Sequence, residues 1–210
     1  MRTPEIALAI DIGGTKLAAA LITSDGQILD KHRVPTIQSA PAEMLFDSLL
    51  DLVRTVTGPK SKFDVCGVGC GGPMSFNGSR VSPLNIPAWR EFPLLTRIQE
   101  TLEVPVVIDN DAKALALGEA WFGAGRSFEN FMAMVVSTGV GGGLFVDGKL
   151  LDGENGNAGH IGHVIVEPDG AKCACGARGC LEAEASGPAI ARRIGATPVE
   201  ADLKERVRAG

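Results

Sequence analysis

Apolar positions along the chain change their period several times, and each change marks an element. Residues 5–11, 17–23 and 27–35 are short, largely apolar or alternating runs, with Ser24-Asp25-Gly26 as a hairpin turn between the last two, and they predict three consecutive strands. Residues 44–56 carry Leu45, Leu49, Leu52, Val53 and Val56 at helical spacing, and Gly58-Pro59 stops that helix. Val65–Cys70 reads as a buried strand running into Gly71-Gly72-Pro73, followed by a loop over 75–89 rich in Pro, Asn and Gly. A helix is predicted over 94–102 and a strand over 104–108, which delivers Asp109-Asn110-Asp111 to the start of a strongly helical segment, 112–122. Beyond it come a strand at 131–137, a glycine-rich turn at 137–143 and a hairpin of 144–146 with 149–151 around Asp147-Gly148. Helices are predicted over 188–194 and 199–207.

The strand–glycine-turn–strand pattern occurs twice, near Asp11 and near Thr138. Such a unit used twice predicts two α/β lobes facing each other across a cleft, residues 1–115 and 116–210, with the seam near 111–119.

Composition narrows the class. The chain has 210 residues, 45% hydrophobic and 21% charged, enough for one large or two small domains with a real core. A net charge of -5 and the lack of any basic run argue against nucleic acid as a partner. Asp11 interrupts the first apolar run, so the start does not read as a signal peptide, and no stretch approaches a membrane span. Five cysteines is an odd count, and free thiols fit a reducing cytoplasm.

Three groups of residues carry candidate chemistry. Cys173, Cys175 and Cys180 with one imidazole, His163 or its rival His160, make a complete tetrahedral donor set for zinc, which is structural because no position stays open. The other reading is a chance cluster of buried thiols. Asp11, Gly13, Gly14, Thr15 and Lys16 follow a strand directly, as do Thr138 and Gly139; each turn either aims N–H groups at phosphate oxygens or is an ordinary hairpin. Asp11 beside an anion site makes sense with Mg²⁺ between them. Asp111 is either the N-cap of the following helix or a general base, with Asn110 orienting the hydroxyl it deprotonates. His160 and Glu182 are either solvated loop side chains or hydrogen-bonding groups for a polyhydroxylated substrate. Cys66 and Cys70 fall on an apolar strand and read as core residues.

Together these residues resemble the ROK family of sugar kinases, within the actin/hexokinase-like ATPase superfamily. The resemblance rests on DIGGTK at 11–16, GVGCGGP at 67–73, LNIPAW at 84–89, VPVVIDNDAKALALGE at 104–119, STGVGGG at 137–143, NGNAGHIGH at 155–163 and CACGARGCLEA at 173–183. It implies two ribonuclease H-like lobes around a cleft, the second incomplete here because the family's kinases are longer, and it implies ATP, Mg²⁺ and structural zinc. It implies that Asp111 takes the proton of a sugar 6-hydroxyl, that Asn110, Asp111, His163 and Glu182 bind the sugar, and that Asn85 and the Gly71-Gly72-Pro73 turn line its pocket. It selects His163 over His160 as the fourth zinc ligand, beside Cys173, Cys175 and Cys180. It implies phosphate contacts from Asp11, Gly13, Gly14, Thr15, Thr138 and Gly139, and a homodimer or homotetramer. Many members have Glu where this chain has His160, while some N-acetylmannosamine kinases have His, so glucose and N-acetylmannosamine both stay open as substrates. Two other readings are a sugar-binding fragment without catalysis and a sugar-responsive transcriptional regulator. For the regulator, ten residues before Asp11 leave no room for a DNA-binding helix-turn-helix.

Overall fold

The computed structural model describes residues 5–59 and 62–195, so the helix expected at 199–207 lies outside the described residues. Strands β1 (Ile6–Ile12), β2 (Lys16–Thr23) and β3 (Ile28–Pro35) form an antiparallel meander, and β4 (Val65–Cys70) and β5 (Val106–Asn110) join the other edge of β1 in parallel. The order is β3-β2-β1-β4-β5. Strand β3 is almost wholly exposed and carries Asp30, Lys31, His32 and Arg33, charges that discourage pairing at a sheet edge.

Helix α1 (Ala42–Thr57) packs on β2 and β3. Its Leu45, Leu49, Leu52, Val53 and Val56, the positions read from helical spacing, are all buried against Leu8, Ile10, Leu17 and Leu21. Helix α2 (Leu94–Thr101) adds Leu94 and Ile98 to the same core. Trp89 is fully buried there; it stacks on Phe92 at 4.6 Å and donates its Nε1–H to the Ala42 carbonyl at 3.2 Å. The LNIPAW segment is therefore anchored by core packing, which fixes Asn85 at its exposed turn.

Helix α3 (Asp111–Phe122) joins the first sheet to a second, antiparallel one of β6 (Phe131–Val136), β7 (Val140–Val146) and β8 (Lys149–Leu150), in that order. It contacts β4 and β5 as well as β6 and β7. Short helices α4 (Leu181–Ala185) and α5 (Gly187–Arg193) follow the cysteine segment, and α4 had no signal in the apolar spacing.

Two sequence expectations are corrected here. The glycine-rich turn expected at 137–143 ends at Gly139, and Gly141, Gly142 and Gly143 are strand residues of β7. The reason is steric: a Cβ at Gly141 would stand 2.9 Å from the Ala112 Cβ, and one at Gly143 would stand 2.4 Å from the Ala116 Cβ. These glycines let α3 lie directly on the strand. The second correction is at the start of α3. Asn110, not Asp111, is the N-cap; its Oδ1 accepts from the Ala112 N–H at 3.0 Å and the Lys113 N–H at 3.4 Å, and Asp111 is the first helical residue. The hairpin at Asp147-Gly148 is present as expected, with positive φ at both residues. Among the described residues no helix is long and apolar enough to cross a membrane.

Candidate functional site

Parallel pairing fixes where β1, β4 and β5 end. Ile12 pairs with Cys70, and Cys70 pairs with Asn110, so the Gly13-Gly14 turn, the Gly71-Gly72-Pro73 turn and Asp111 leave the sheet along one edge. That edge, the carboxyl ends of parallel strands, is where α/β sheets bind ligands. Asp11 is the next-to-last residue of β1, and its carboxyl is held above the usual carboxylate range by burial first and by the Asp111 charge second, while Lys16 works in the opposite direction. The Asp111 carboxyl is also raised, by burial, against the hydrogen bond its Oδ1 accepts from the Ala112 N–H and the nearby His160. Cys70 lies fully buried beneath the two acids; burial pushes its thiol up, and the Asp111 and Asp11 charges add to that, so it is a neutral core residue as the sequence suggested. Burial alone pushes Cys66 up to about 12.

The first glycine turn is braced from behind. Gly13 N–H donates to the Lys16 carbonyl, the Thr36 hydroxyl donates to the Gly13 carbonyl at 2.7 Å, and the Gln38 amide donates to the Gly14 carbonyl at 2.7 Å. The Gly14 and Thr15 N–H groups meet no partner among the described residues. Asn85 presses on this turn: a Cβ at Gly14 would stand 2.4 Å from the Asn85 Cβ, so glycine is required where the loop crosses. The second turn has the same economy. Ser137 N–H donates to the Gly139 carbonyl and Val140 N–H to Glu182 Oε2 at 2.9 Å, while the Thr138 and Gly139 N–H groups meet no partner among the described residues. Each turn thus offers two successive backbone donors, the arrangement that binds anions. Glu182 is brought to this turn rather than left in solvent, and α5 backs the turn through the Gly187 N–H to the Ser137 carbonyl at 2.8 Å.

The cysteine segment closes as a metal centre would. Ligand atoms of His163, Cys173, Cys175 and Cys180 lie within 4.8 Å of one another. Cys173 Sγ stands 3.7 Å from His163 Nδ1, and Cys175 Sγ stands 3.7 Å from Cys180 Sγ. Four ligands bound at about 2.3 Å in a tetrahedron would be about 3.7 Å apart, so the residues fit zinc in both chemistry and spacing. Burial pushes the Cys180 thiol up to about 12 and raises Cys173, while the Ala177 backbone hydrogen bond lowers Cys175. His160 is outside the cluster. Its Nδ1–H donates to the Asn157 carbonyl at 2.6 Å, and its buried Nε2 has no partner among the described residues. A Cβ at Gly72 would stand 2.8 Å from that Nε2, so the imidazole lies against the cis Gly72–Pro73 turn.

Sequence reasoning passed over Lys113 and Asn157. Lys113 is 1% exposed, and its Nζ reaches Asp152 at 2.7 Å, Asp109 at 2.9 Å and the Gly156 carbonyl at 3.2 Å. Burial works to lower its pKa, but the hydrogen bonds it donates to Asp152 and Asp109 outweigh that and raise it. The one cation of α3, one turn after Asp109, was the available signal.

A sequence model of the ROK family matches residues 7–210. The chain belongs to the ROK family. ROK relatives include the glucokinase of Halalkalibacterium halodurans, 41% identical over 191 residues, which cover 88% of this chain and 58% of that one. The N-acetylmannosamine kinase of Escherichia coli O139:H28 is 43% identical over 187 residues, covering 88% of this chain and 62% of that one. Among solved structures, the ROK glucokinase of Streptomyces griseus in complex with glucose and AMPPNP superposes with a TM-score of 0.82 at 36% identity, over 89% of this chain and 59% of that one. The chain therefore spans about three-fifths of the length of these ROK proteins.

Proposed function

We propose that this chain belongs to an ATP- and Mg²⁺-dependent sugar kinase that phosphorylates the 6-hydroxyl of a hexose or N-acetylhexosamine such as glucose or N-acetylmannosamine. The observation that carries this reading is the position of Asp111, a carboxylate whose pKa is raised by desolvation, at the start of α3 and on the same strand edge as the Gly13-Gly14 turn. The kinase names of its relatives agree with it.

In this reading residues 1–115 and 116–210 belong to two lobes, and the nucleotide phosphates lie between Gly14-Thr15 on one and Thr138-Gly139 on the other. The four unpartnered N–H groups receive phosphate oxygens, and the Thr15 hydroxyl and Lys16 add to them. Mg²⁺, held near Asp11, would neutralise charge on the phosphates. Asp111 accepts the proton of the attacking hydroxyl, and a carboxyl raised toward neutrality is a better match for that task than an ordinary one. Asn110 spends its Oδ1 on the helix cap and keeps its amide Nδ2 for the sugar. Asn85, His160, His163 and Glu182 complete the sugar contacts. Zinc held by His163, Cys173, Cys175 and Cys180 is structural; it fixes the direction of His163 and of Glu182, two residues beyond Cys180. The enzyme works in the cytoplasm as a homodimer or homotetramer, without nucleic acid or membrane partners.

The test is Asp111→Asn in the full-length protein, assayed by coupled ADP release with glucose, mannose, fructose, N-acetylglucosamine and N-acetylmannosamine. Removing a general base costs about 10²- to 10⁴-fold in turnover, with sugar binding changed only a few-fold. Near-normal turnover in the variant overturns the assignment, and a wild type inactive on all five sugars overturns the sugar-kinase reading.

A further inference from the structure

A continuous set of polar contacts leads from helix α3 to the unpartnered nitrogen of His160. Lys113 has three ammonium protons and three acceptors: Asp152 Oδ1 at 2.7 Å, Asp109 Oδ1 at 2.9 Å and the Gly156 carbonyl at 3.2 Å. Two of these acceptors belong to the 152–157 loop. The next residue, Asn157, ties that loop to the first sheet's side of the site: its Nδ2 donates to the Met74 carbonyl at 3.1 Å and its Oδ1 faces the Met74 N–H at 3.5 Å. The Asn157 backbone carbonyl then accepts from His160 Nδ1 at 2.6 Å. A carbonyl cannot donate, so Nδ1 carries the proton, and it is the tautomer with Nε2 as the free acceptor that this contact selects. That Nε2 is buried, unpartnered and beside Gly72.

We propose that Lys113 is a positioning residue for the sugar site: its buried ammonium clamps the 152–157 loop to helix α3, and through Asn157 the clamp fixes both the orientation and the tautomer of His160. This rests on the reading of His160 as a sugar contact. The physical logic is economy of motion. Asp111 and Lys113 are two residues apart on one helix, so the proposed base and the anchor of the His160 loop share a rigid support. A hydroxyl or amide N–H of the sugar that donates to Nε2 is then held at a set distance from Asp111. The clamp bears on which sugar is chosen, because an acceptor-only nitrogen rewards a donor at one place on the ring and rejects an analogue that lacks it. Lys113 does not touch substrate.

The experiment uses Lys113→Met and Asn157→Ala in the full-length protein. The methionine replaces the apolar stem of the side chain and removes the ammonium. The carboxylates it leaves behind stay hydrated, since Asp152 is 66% exposed and both acids line an open cavity of about 430 Å³. Three quantities are read: the sugar KM, the ATP KM, and the ring ¹⁵N shifts of His160 by NMR. Each variant is expected to raise the sugar KM tenfold or more with the ATP KM within twofold. His160 Nε2 should move from the unprotonated position toward a tautomer average. The double variant should be no worse than the stronger single one, because the two residues act in series. Unchanged sugar KM and unchanged His160 shifts overturn the proposal, and so does an equal rise in both KM values, which is the mark of general loosening. Should Lys113→Met fail to fold, Asn157→Ala leaves the ion pairs intact and decides alone. If the wild type phosphorylates no sugar, the kinase reading fails, and the His160 shifts still decide whether the clamp exists.

Discussion

Replacing Gly143 with alanine separates two explanations of the glycine run in β7. As a phosphate cradle, the run would serve ATP; as a packing seam, it serves helix α3. The structure gives the size of the steric effect. The added Cβ would stand 2.4 Å from the Ala116 Cβ, 2.9 Å from the Ala112 carbonyl oxygen and 3.1 Å from the Lys113 Cα. Two of those atoms are backbone, so no side-chain rotation relieves the overlap. Restoring ordinary contact, roughly 3.5–4.0 Å between carbons, requires α3 and β7 to separate by more than an ångström. Overpacking of this kind costs about 1–3 kcal/mol, which lowers Tm by several degrees in a protein of this size. Asp111 rides on the same helix, and a displacement of about 1 Å at a reacting group can cost on the order of 10²-fold in rate. Gly141→Ala meets a single methyl at 2.9 Å and should be the milder change. Thermal denaturation and steady-state kinetics on both variants decide the matter. The packing account expects Tm and kcat to fall, more for Gly143→Ala than for Gly141→Ala, with the ATP KM nearly constant. A Gly143→Ala protein with unchanged Tm and a raised ATP KM refutes it.

Two further outcomes are expected from the same geometry. Burial holds the Asp111 and Asp11 carboxyls above the ordinary range. Their ionised forms are therefore disfavoured in the fold: stability at these sites improves as pH falls through the raised pKa values, whereas a base must be ionised, so turnover is lost over that same interval. A kcat/KM profile should show an acid limb above about 4, the usual aspartate value; a limb at or below that value contradicts the burial argument. Chelation should remove zinc from His163, Cys173, Cys175 and Cys180, raising the sugar KM before the ATP KM and loosening 160–182 first, as metal binding is part of the local folding energy. Metal analysis that finds a zinc-free protein with full sugar affinity would contradict a structural zinc.

Where one side chain faces one environment, the sequence was readable. Leu45, Leu49 and Leu52 repeat with the helical period because a single face of α1 meets the sheet, and the hairpin at Asp147-Gly148 announces itself because a two-residue turn demands positive φ. The cysteine cluster was legible for a similar reason, since close spacing forces the three thiols together whatever the rest of the chain does. The glycine run of β7 was misread because glycine has two uses, turning a chain and admitting a neighbour, and only the position of Ala112 and Ala116 across the seam tells them apart. Asp111 was weighed as the helix cap because local sequence offers two acceptors in a row, and the φ of -61° and ψ of 137° at Asn110 decide which one caps. The Lys113 contacts were invisible because Asp152 and Gly156 are distant in sequence and join it only once α3 has docked.

The parallel half of the first sheet explains why so many candidate groups meet. Strands β1, β4 and β5 run the same way, so their carboxyl ends share one edge, and the register Ile12–Cys70–Asn110 sets those ends level. Whatever follows each strand is delivered to the same place: the Gly13-Gly14 turn after β1, the Gly71-Gly72-Pro73 turn after β4, a capped helix carrying Asp111 after β5. Strand β2 runs against them, while β3, antiparallel to β2, ends at that same edge, where Thr36 and Gln38 just past it reach back to hold the carbonyls of Gly13 and Gly14. Those two bonds occupy the carbonyls, while the Gly14 and Thr15 N–H groups meet no partner among the described residues. A Thr36→Val substitution, which keeps shape and removes the hydroxyl, should therefore weaken ATP before sugar, raising the ATP KM by roughly the worth of one hydrogen bond, about 1 kcal/mol or fivefold. An ATP KM unchanged in a folded Thr36→Val protein would show that the turn holds its shape without that bond.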